Sequence, residues 1–437
     1  MKDSIKVGII GFGTVGTGVV KVIINNRETI RRRLGVPVEI AAIADRDLDR
    51  DRGVRIDRRL LTKDPMDVII NPDIDILVEL MGGINQAKGY ILEAISRGKH
   101  IVTANKALLA DCGEEIYRAA EDAGVDLGFE GSVGGGIPVI KALKEGFDAN
   151  RIESIFGIIN GTSNYILTKM TEEGRPFPSV LSEAKEAGYA EADPTLDIEG
   201  IDAAHKLSIL VNLAFGTPVS VKDIYVEGIG RITPLDIEYA REFGYRIKPL
   251  AIAKIADGEI DARVHPTMIP DDYLLAKVNG VYNAVYIVGD AAGESMLYGK
   301  GAGELPTGSA VVSDIIDIGR NIISGSPCRV PVTSYKSENR KVLRVKRIEE
   351  ISSIYYIRFM AMDSPGVLSN ISGVLGKNNI SISRVSQKGR KEGGSVPVVM
   401  MSHRANEKDI RTALMEIDGM PYISEKSLVI RVEGEEI

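Results

Sequence analysis

An α/β chain is what this sequence predicts, opening on a doubly wound parallel sheet and closing on a smaller α+β unit. Three observations carry that prediction. A glycine-rich turn joins an apolar strand to a helix at the start of the chain. Strand patterns then alternate with helix patterns through residue 143, as parallel strands with crossover helices require. The stretch 351–437 reads in the order βαββαβ.

Residues 5–10, IKVGII, are an unbroken apolar run, as in a strand covered on both faces. Gly11, Gly13 and Gly16 follow in GFGTVG, and Val19, Val20 and Ile23 continue at helical spacing. Gly11 permits the tight turn, Gly13 lets the backbone approach a pyrophosphate, and Gly16 allows the helix to pack closely on the strand. With Phe12, Thr14 and Val15 between them, they form a Rossmann-type dinucleotide site at a helix N-terminus. A second strand, VEIAAIA (38–44), ends at Asp45-Arg46. An acid here suits the ribose hydroxyls of NAD, and an arginine suits the 2′-phosphate of NADP. Both are present, so a site accepting either cofactor is expected. Strands 74–80 and 100–106 run into Met81-Gly82-Gly83 and into a helix beginning near Ala107. Their ends fall at the carboxyl edge of the sheet, where ligands bind. That places Lys106 where a nicotinamide would lie; an ordinary surface lysine is the alternative. In 125–143, Glu130 ends a strand and a glycine-rich turn follows. A carboxylate with free carbonyls suits a hard-oxygen cation site. Gly134, Gly135 and Gly136 suit equally a plain loop before a helix started by Pro138.

The middle of the chain mixes strands and helices. RIESIFGIIN (151–160) reads as a strand entering the polar turn Gly161-Thr162-Ser163-Asn164. The block 188–210 gathers Glu191, Asp193, Asp197, Glu199 and Asp202 ahead of one lysine, Lys206. Ile201, Ala204, Leu207 and Leu210 form a helical stripe, and Asp202 and Lys206 share one helix face at i and i+4. Carboxylates around an ammonium suit a site that holds an amino-bearing substrate and moves a proton; a solvated helix with one ion pair is the alternative. Strands follow at 248–255, 262–269 and 283–290, then an amphipathic helix at 308–323.

A polar stretch, 334–350, reads as a linker to a separate terminal unit. There, strands at 354–362, 380–388, 395–402 and 423–433 alternate with helices at 364–379 and 407–417, the ferredoxin-like arrangement. Pro365 opens the first of those helices.

The ordered set GFGTVG, ELMGG, TANKALLA, EGSVGGGIP, INGTSNYIL, GYAEADPTLDIEGIDAAHKLSIL and GAGELPTGSAVVSD resembles homoserine dehydrogenase. The likeness covers roughly 1–335, and its motifs stand in family order. It implies that Lys206 is the catalytic acid/base and Lys106 a second active-site lysine. Gly188, Glu191, Asp197 and Asp202 would bind or organise the substrate. Glu130 with the carbonyls of Val133, Gly135 and Ile137 would hold a monovalent cation, Na⁺ or K⁺. Gly303 would return to the nicotinamide. The loop Asp363, Pro365, Gly366, Val367 resembles that of an ACT domain, an amino-acid-sensing module; a unit used only for subunit contacts is the alternative. The implied domains are a cofactor domain at 1–145 plus 306–335, a substrate and dimerisation domain at 146–305, a linker at 336–350, and an ACT domain at 351–437.

The implied reaction is reduction of aspartate 4-semialdehyde to homoserine, regulated by an amino acid such as threonine, in a homodimer or higher oligomer. Two other readings compete: another NAD(P)-linked amino-acid dehydrogenase, and a non-catalytic amino-acid sensor. The acidic block argues against the first, and the presence of both lysines against the second. A length of 437 residues suggests about three domains. Net charge is −7 with acids and bases interspersed, so nucleic acid is not an expected partner. No apolar run reaches membrane-spanning length and no signal pattern precedes the first strand, so a cytoplasmic enzyme is expected. Two cysteines and four scattered histidines offer neither a disulfide framework nor a zinc site.

Overall fold

The computed structural model describes residues 2–388 and 394–434. It divides into two compact units. The first comprises Met1–Ile159, Ala203–Lys222 and Tyr282–Leu343, and the second Asn160–Asp202, Asp223–Val281 and Arg344–Ile437. These limits cut across the boundaries expected from the sequence.

The first unit is organised by a six-stranded parallel sheet. Its order is Leu61–Thr62, Val38–Ala44, Ile5–Ile10, Ile76–Glu79, His100–Thr103, Leu127–Gly128, the doubly wound pattern. Ile5, Val7, Ile9, Val78 and Val102 are buried against Val19, Val20 and Ile23 of the helix Thr14–Asn25 and Val311, Val312 and Ile315 of the helix Glu304–Ser324. Small residues set how closely those helices meet. A methyl on Gly18 would collide with the Glu304 carbonyl, and one on Gly308 would lie 2.5 Å from Gly18 C. The same unit holds the strand Ile152–Ile158, which pairs antiparallel with Tyr282–Gly289. That strand pairs in turn with Gly293–Lys300, a strand the sequence pattern did not reveal. The helix Ile201–Phe215 is buried on nearly every side, including Ala203, Ala204, Leu207, Ile209, Leu210, Val211 and Leu213, rather than along one stripe.

The second unit contains the long hairpin Tyr245–Ala256 and Glu259–Pro270, paired along its whole length. Its turn, Asp257-Gly258, has both φ values positive (56° and 75°), as a tight right-twisting hairpin demands. The tail keeps the expected order: Ser352–Met362, Val367–Lys377, Ile382–Gln387, Ser395–Ser402, Glu407–Asp418, Ile423–Val432. Its first helix starts at Val367, not at Pro365, because Gly366 takes φ 88° and turns the chain first. The glycine turn expected between the middle strands lies largely outside the described residues.

The tail is not a bead on a tether. Tyr355, Ile357 and Phe359 point to its own helices, packing with Ile371, Leu375 and Ile410. Their neighbour Tyr356, with Val399, Met401, Leu428 and Ile430, packs on Tyr165, Ile166 and Met170 of the helix Gly161–Glu173. Both faces of the sheet are therefore covered. Thr267 and Met268 of the long hairpin pair in parallel with Arg431 and Val432, so one sheet runs through the whole unit. The polar stretch before the tail is fastened too: Ile260 N–H donates to Arg344 O at 2.9 Å and Lys346 N–H to Ile260 O at 2.7 Å. Among the described residues, no helix is long and apolar enough to cross a membrane.

Candidate active site

The glycine loop has the shape its spacing demands. Gly11 takes φ 101°, and a methyl there would meet Leu80 C at 2.5 Å. A methyl on Gly16 would strike the Gly11 carbonyl, whereas nothing lies within 4 Å of one on Gly13. Space is thus closed by protein at the first and third glycines and left open at the second. Gly13 caps the helix Thr14–Asn25 without a side-chain hydrogen bond, so its first N–H groups suit a pyrophosphate. These features fit a dinucleotide. Phe12 N–H donates to Asp45 Oδ2 at 2.6 Å, tying this loop to the end of the second strand.

Lys106 is the first residue of the helix Lys106–Ala123. Its position is set by a network the sequence reading passed over. Glu79, fully buried at the end of its strand, accepts Thr103 Oγ1 at 2.7 Å and the Met81 N–H at 2.9 Å. Burial raises its pKa above the usual glutamate range, against the pull of those hydrogen bonds. Asn105 caps the lysine's helix through Leu108 N–H at 3.2 Å and donates to Gly83 O at 2.7 Å. The ELMGG and TANK motifs are therefore one hydrogen-bonded corner. A strand-terminal glutamate before a glycine pair was the available signal for Glu79.

Glu130 is 4 % exposed, and its carboxylate faces a helix start rather than the glycine turn. It accepts the N–H groups of Ile140 and Lys141, each at 2.8 Å. Its own N–H donates to Asp314 Oδ2 at 2.8 Å. Burial pushes its pKa up to about 7, against the pull of the two backbone donors. The turn after it meets the GAGE loop: Gly136 N–H donates to Lys300 O at 3.0 Å, and a methyl on Gly135 would lie 2.5 Å from Gly301 C. Gly303 opens the helix Glu304–Ser324 with φ 125°. Ile137 O accepts the Val139 N–H at 2.8 Å. Among the described residues, no cluster of three or more His, Cys, Asp or Glu could hold a metal.

Lys206 is 8 % exposed, and its Nζ donates to Ile159 O at 2.7 Å. In the second unit, Asn160 collects two members of the acidic block. Its Nδ2 donates to Asp197 Oδ1 at 2.7 Å and to Asp202 Oδ2 at 2.9 Å. Its Oδ1 caps the helix Gly161–Glu173 through Ser163 N–H at 2.8 Å. Asn160 was not singled out in the sequence; its place just before the GTSN turn was the available clue. The rest of the block is not gathered. Asp193 turns back onto Thr195 N–H at 3.1 Å, and Gly188, Glu191 and Glu199 are exposed. In the tail loop, Asp363 N–H donates to Gly394 O at 2.9 Å and Ser364 N–H to Met362 O at 2.9 Å.

Residues 11–130 match the homoserine dehydrogenase NAD-binding domain, 138–316 the homoserine dehydrogenase domain, and 355–420 the ACT domain. A homoserine dehydrogenase of Neisseria gonorrhoeae is 46 % identical over 430 residues, covering 98 % of this chain and 99 % of its own. One of Pseudomonas aeruginosa is 47 % identical over 432 residues, with the same coverage. The crystal structure of a homoserine dehydrogenase from Thiobacillus denitrificans superposes with a TM-score of 0.93 at 45 % identity, covering 98 % of both chains. With family models over most of its length and relatives of 46–47 % identity matched along 98 % of it, this chain belongs to the homoserine dehydrogenase family of oxidoreductases.

Proposed function

We propose that the chain reduces L-aspartate 4-semialdehyde to L-homoserine, reversibly, with Lys206 as the general acid/base. The observation that carries this reading is Lys206 itself. It is a buried ammonium, anchored on Ile159 O at 2.7 Å and one helical turn beyond Asp202. Bound NAD(P)H supplies the hydride. As hydride reaches the carbonyl carbon, negative charge develops on the oxygen; a positioned ammonium stabilises that charge and gives up its proton. In the reverse direction the neutral amine takes the hydroxyl proton. Lys106, fixed by the Asn105 cap, supplies a second positive charge in this reading. Asp197 and Asp202, held by Asn160, match the substrate's α-ammonium, and Glu191 adds a further carboxylate.

The monovalent cation belongs to the same proposal, held by Glu130 with the carbonyls of Val133, Gly135 and Ile137. Each Glu130 oxygen accepts one helix N–H group and keeps a lone pair for the cation. The tail reading is feedback by a pathway amino acid, threonine first, in a cytoplasmic homodimer. The effector carboxylate would meet the N–H groups at the start of the helix Val367–Lys377, and Asp363 its ammonium. The pathway leads to threonine, methionine and isoleucine.

The test is a steady-state assay of homoserine oxidation, with threonine, methionine, isoleucine and serine added in turn. Homoserine-dependent reduction of the cofactor, absent with serine as sole substrate, is the expected result. Equal turnover of other amino alcohols would favour a broader dehydrogenase, and none at all a sensor.

A further inference from the structure

One helix of the second unit, Gly161–Glu173, serves both the acidic block and the tail. At its start stands Asn160, buried, whose Nδ2 donates to Asp197 Oδ1 at 2.7 Å and to Asp202 Oδ2 at 2.9 Å. A carboxamide nitrogen carries two protons, so each carboxylate accepts one and their separation is set by a single atom. The first turn adds two more bonds: Ser163 Oγ donates to Asp197 O at 2.8 Å, and Thr162 Oγ1 to Tyr189 O at 2.7 Å. Along its length the same helix shares a buried core with the tail sheet, Tyr165, Ile166 and Met170 with Tyr356, Met401 and Ile430. The Tyr356 hydroxyl also donates to Asp236 Oδ1 at 3.0 Å, on the helix Pro234–Glu242, whose Ile237 and Ala240 belong to that core. A helix of 13 residues spans about 20 Å and, close-packed, shifts as a body.

We propose that this helix makes the tail sheet part of the substrate site: packing on the sheet sets the spacing of Asp197 and Asp202, with Asn160 as the positioning residue. The tail then governs affinity for the amino-bearing substrate and leaves the glycine loop, which belongs to the other unit, untouched. It rests on the reading of Asp197 and Asp202 as substrate carboxylates.

The test is a double-mutant cycle in the full chain, read as homoserine KM, kcat and cofactor Kd. Met401→Ala should raise the KM about threefold or more, a usual size for coupling through packed side chains, with kcat and cofactor Kd within about twofold. Met401→Leu, which conserves volume, should restore the KM. Asn160→Ser keeps a helix cap but loses the bridging amide. It should raise the KM about tenfold or more, as loss of hydrogen bonds to charged groups does. Adding Met401→Ala to Asn160→Ser should then change little, because the link is already cut; a merely structural role would multiply the two effects. If Met401→Ala fails to fold, Ile430→Val takes its place in the cycle, with a KM rise of about twofold expected. An unchanged KM in the folded tail variant, or effects that multiply, would overturn the proposal while leaving the substrate reading intact. An unchanged KM in Asn160→Ser would remove the substrate reading and the proposal with it.

Discussion

The two units bury carboxylates in opposite ways. In the first, Glu79 meets a hydroxyl and backbone N–H groups at the ligand edge of the sheet. In the second, Asp236 accepts Arg358 Nε at 2.7 Å and the Tyr356 hydroxyl at 3.0 Å, Glu407 accepts Arg431 Nε at 2.9 Å, and Glu433 pairs with Arg263. Asp236 is fully buried and also closes a capping box with Thr233. The first arrangement fixes the turns at the carboxyl edge of the sheet. The second rivets the tail onto the hairpin and helices beside it. Buried ion pairs are a risky way to gain stability, but breaking one is severe. The tail is therefore built as part of this unit's core.

The largest test breaks the second unit outright. Deleting residues from 345 onward removes Tyr356, Val399, Met401, Leu428, Ile430 and Val432 from a shared core. At about 1.5–3 kcal/mol each, their burial rivals the whole stability of an ordinary domain, about 5–15 kcal/mol. The expected product is an aggregated, inactive chain rather than an unregulated enzyme. A soluble, fully active truncation would show that the tail is separable after all. Regulation is better tested by Asp363→Ala in the full chain, with threonine inhibition as the readout.

Next comes the rivet. Arg358→Met strands the Asp236 charge and should destabilise the protein by about 3–5 kcal/mol in urea titration. Adding Asp236→Asn should recover part of that loss. A loss below about 1 kcal/mol for the single variant would mean water reaches the pair and screens it.

Lys206→Ala should lower turnover at least about a hundredfold, the usual size of a general acid/base effect, with nucleotide affinity kept. This separates chemistry from scaffold. Near-normal turnover would take Lys206 out of the mechanism.

The contrast also explains what the sequence made legible. The cofactor loop was readable because a backbone requirement is written directly in glycines: Gly11, Gly13 and Gly16 each have one spatial reason. The tail's element order was readable because apolar strand runs and helical spacings alternate along it, although nothing in IYYIRFMAM told Tyr355 from Tyr356. The rivets were not. Asp236 and Arg358 are distant in the chain, and each resembles a solvated surface residue until the two halves meet. For the same reason a polar linker looked like a tether. Asn160 and Glu79 escaped notice because they act on other residues' geometry. Charge count in the acidic block does not show that Asp193 folds back onto Thr195.

A smaller effect separates two glycines of one motif. Gly13→Ala has open space and an ordinary φ of −76°, so the fold should tolerate it to within about 0.5 kcal/mol. Nucleotide binding should fall about tenfold or more, because the methyl occupies the pyrophosphate's approach. Gly16→Ala must push the Gly11 carbonyl aside, so it should lower the melting temperature as well. If Gly13→Ala binds the nicotinamide cofactor normally, the open space at Gly13 is not the cofactor's.

The subtlest test uses pH, where the two units should respond with opposite sign. Burial raises the Glu79 pKa. The folded state then holds the proton that the unfolded state releases, so this group's contribution falls as pH rises from the ordinary glutamate value toward the raised one. For Glu407, burial pushes the pKa up, but the Arg431 guanidinium more than offsets it and the net shift is downward. Its contribution is complete above the ordinary glutamate value and is lost as pH falls through the lowered one. Hydrogen exchange read peptide by peptide can follow each unit separately. Glu407→Gln should flatten the acid loss of protection around Ile423–Val432, and Glu79→Gln should flatten the loss on the alkaline side around Ile76–Glu79. If both substitutions altered the same limb of the profile, the two carboxylates would share one electrostatic environment and the contrast between the units would fail.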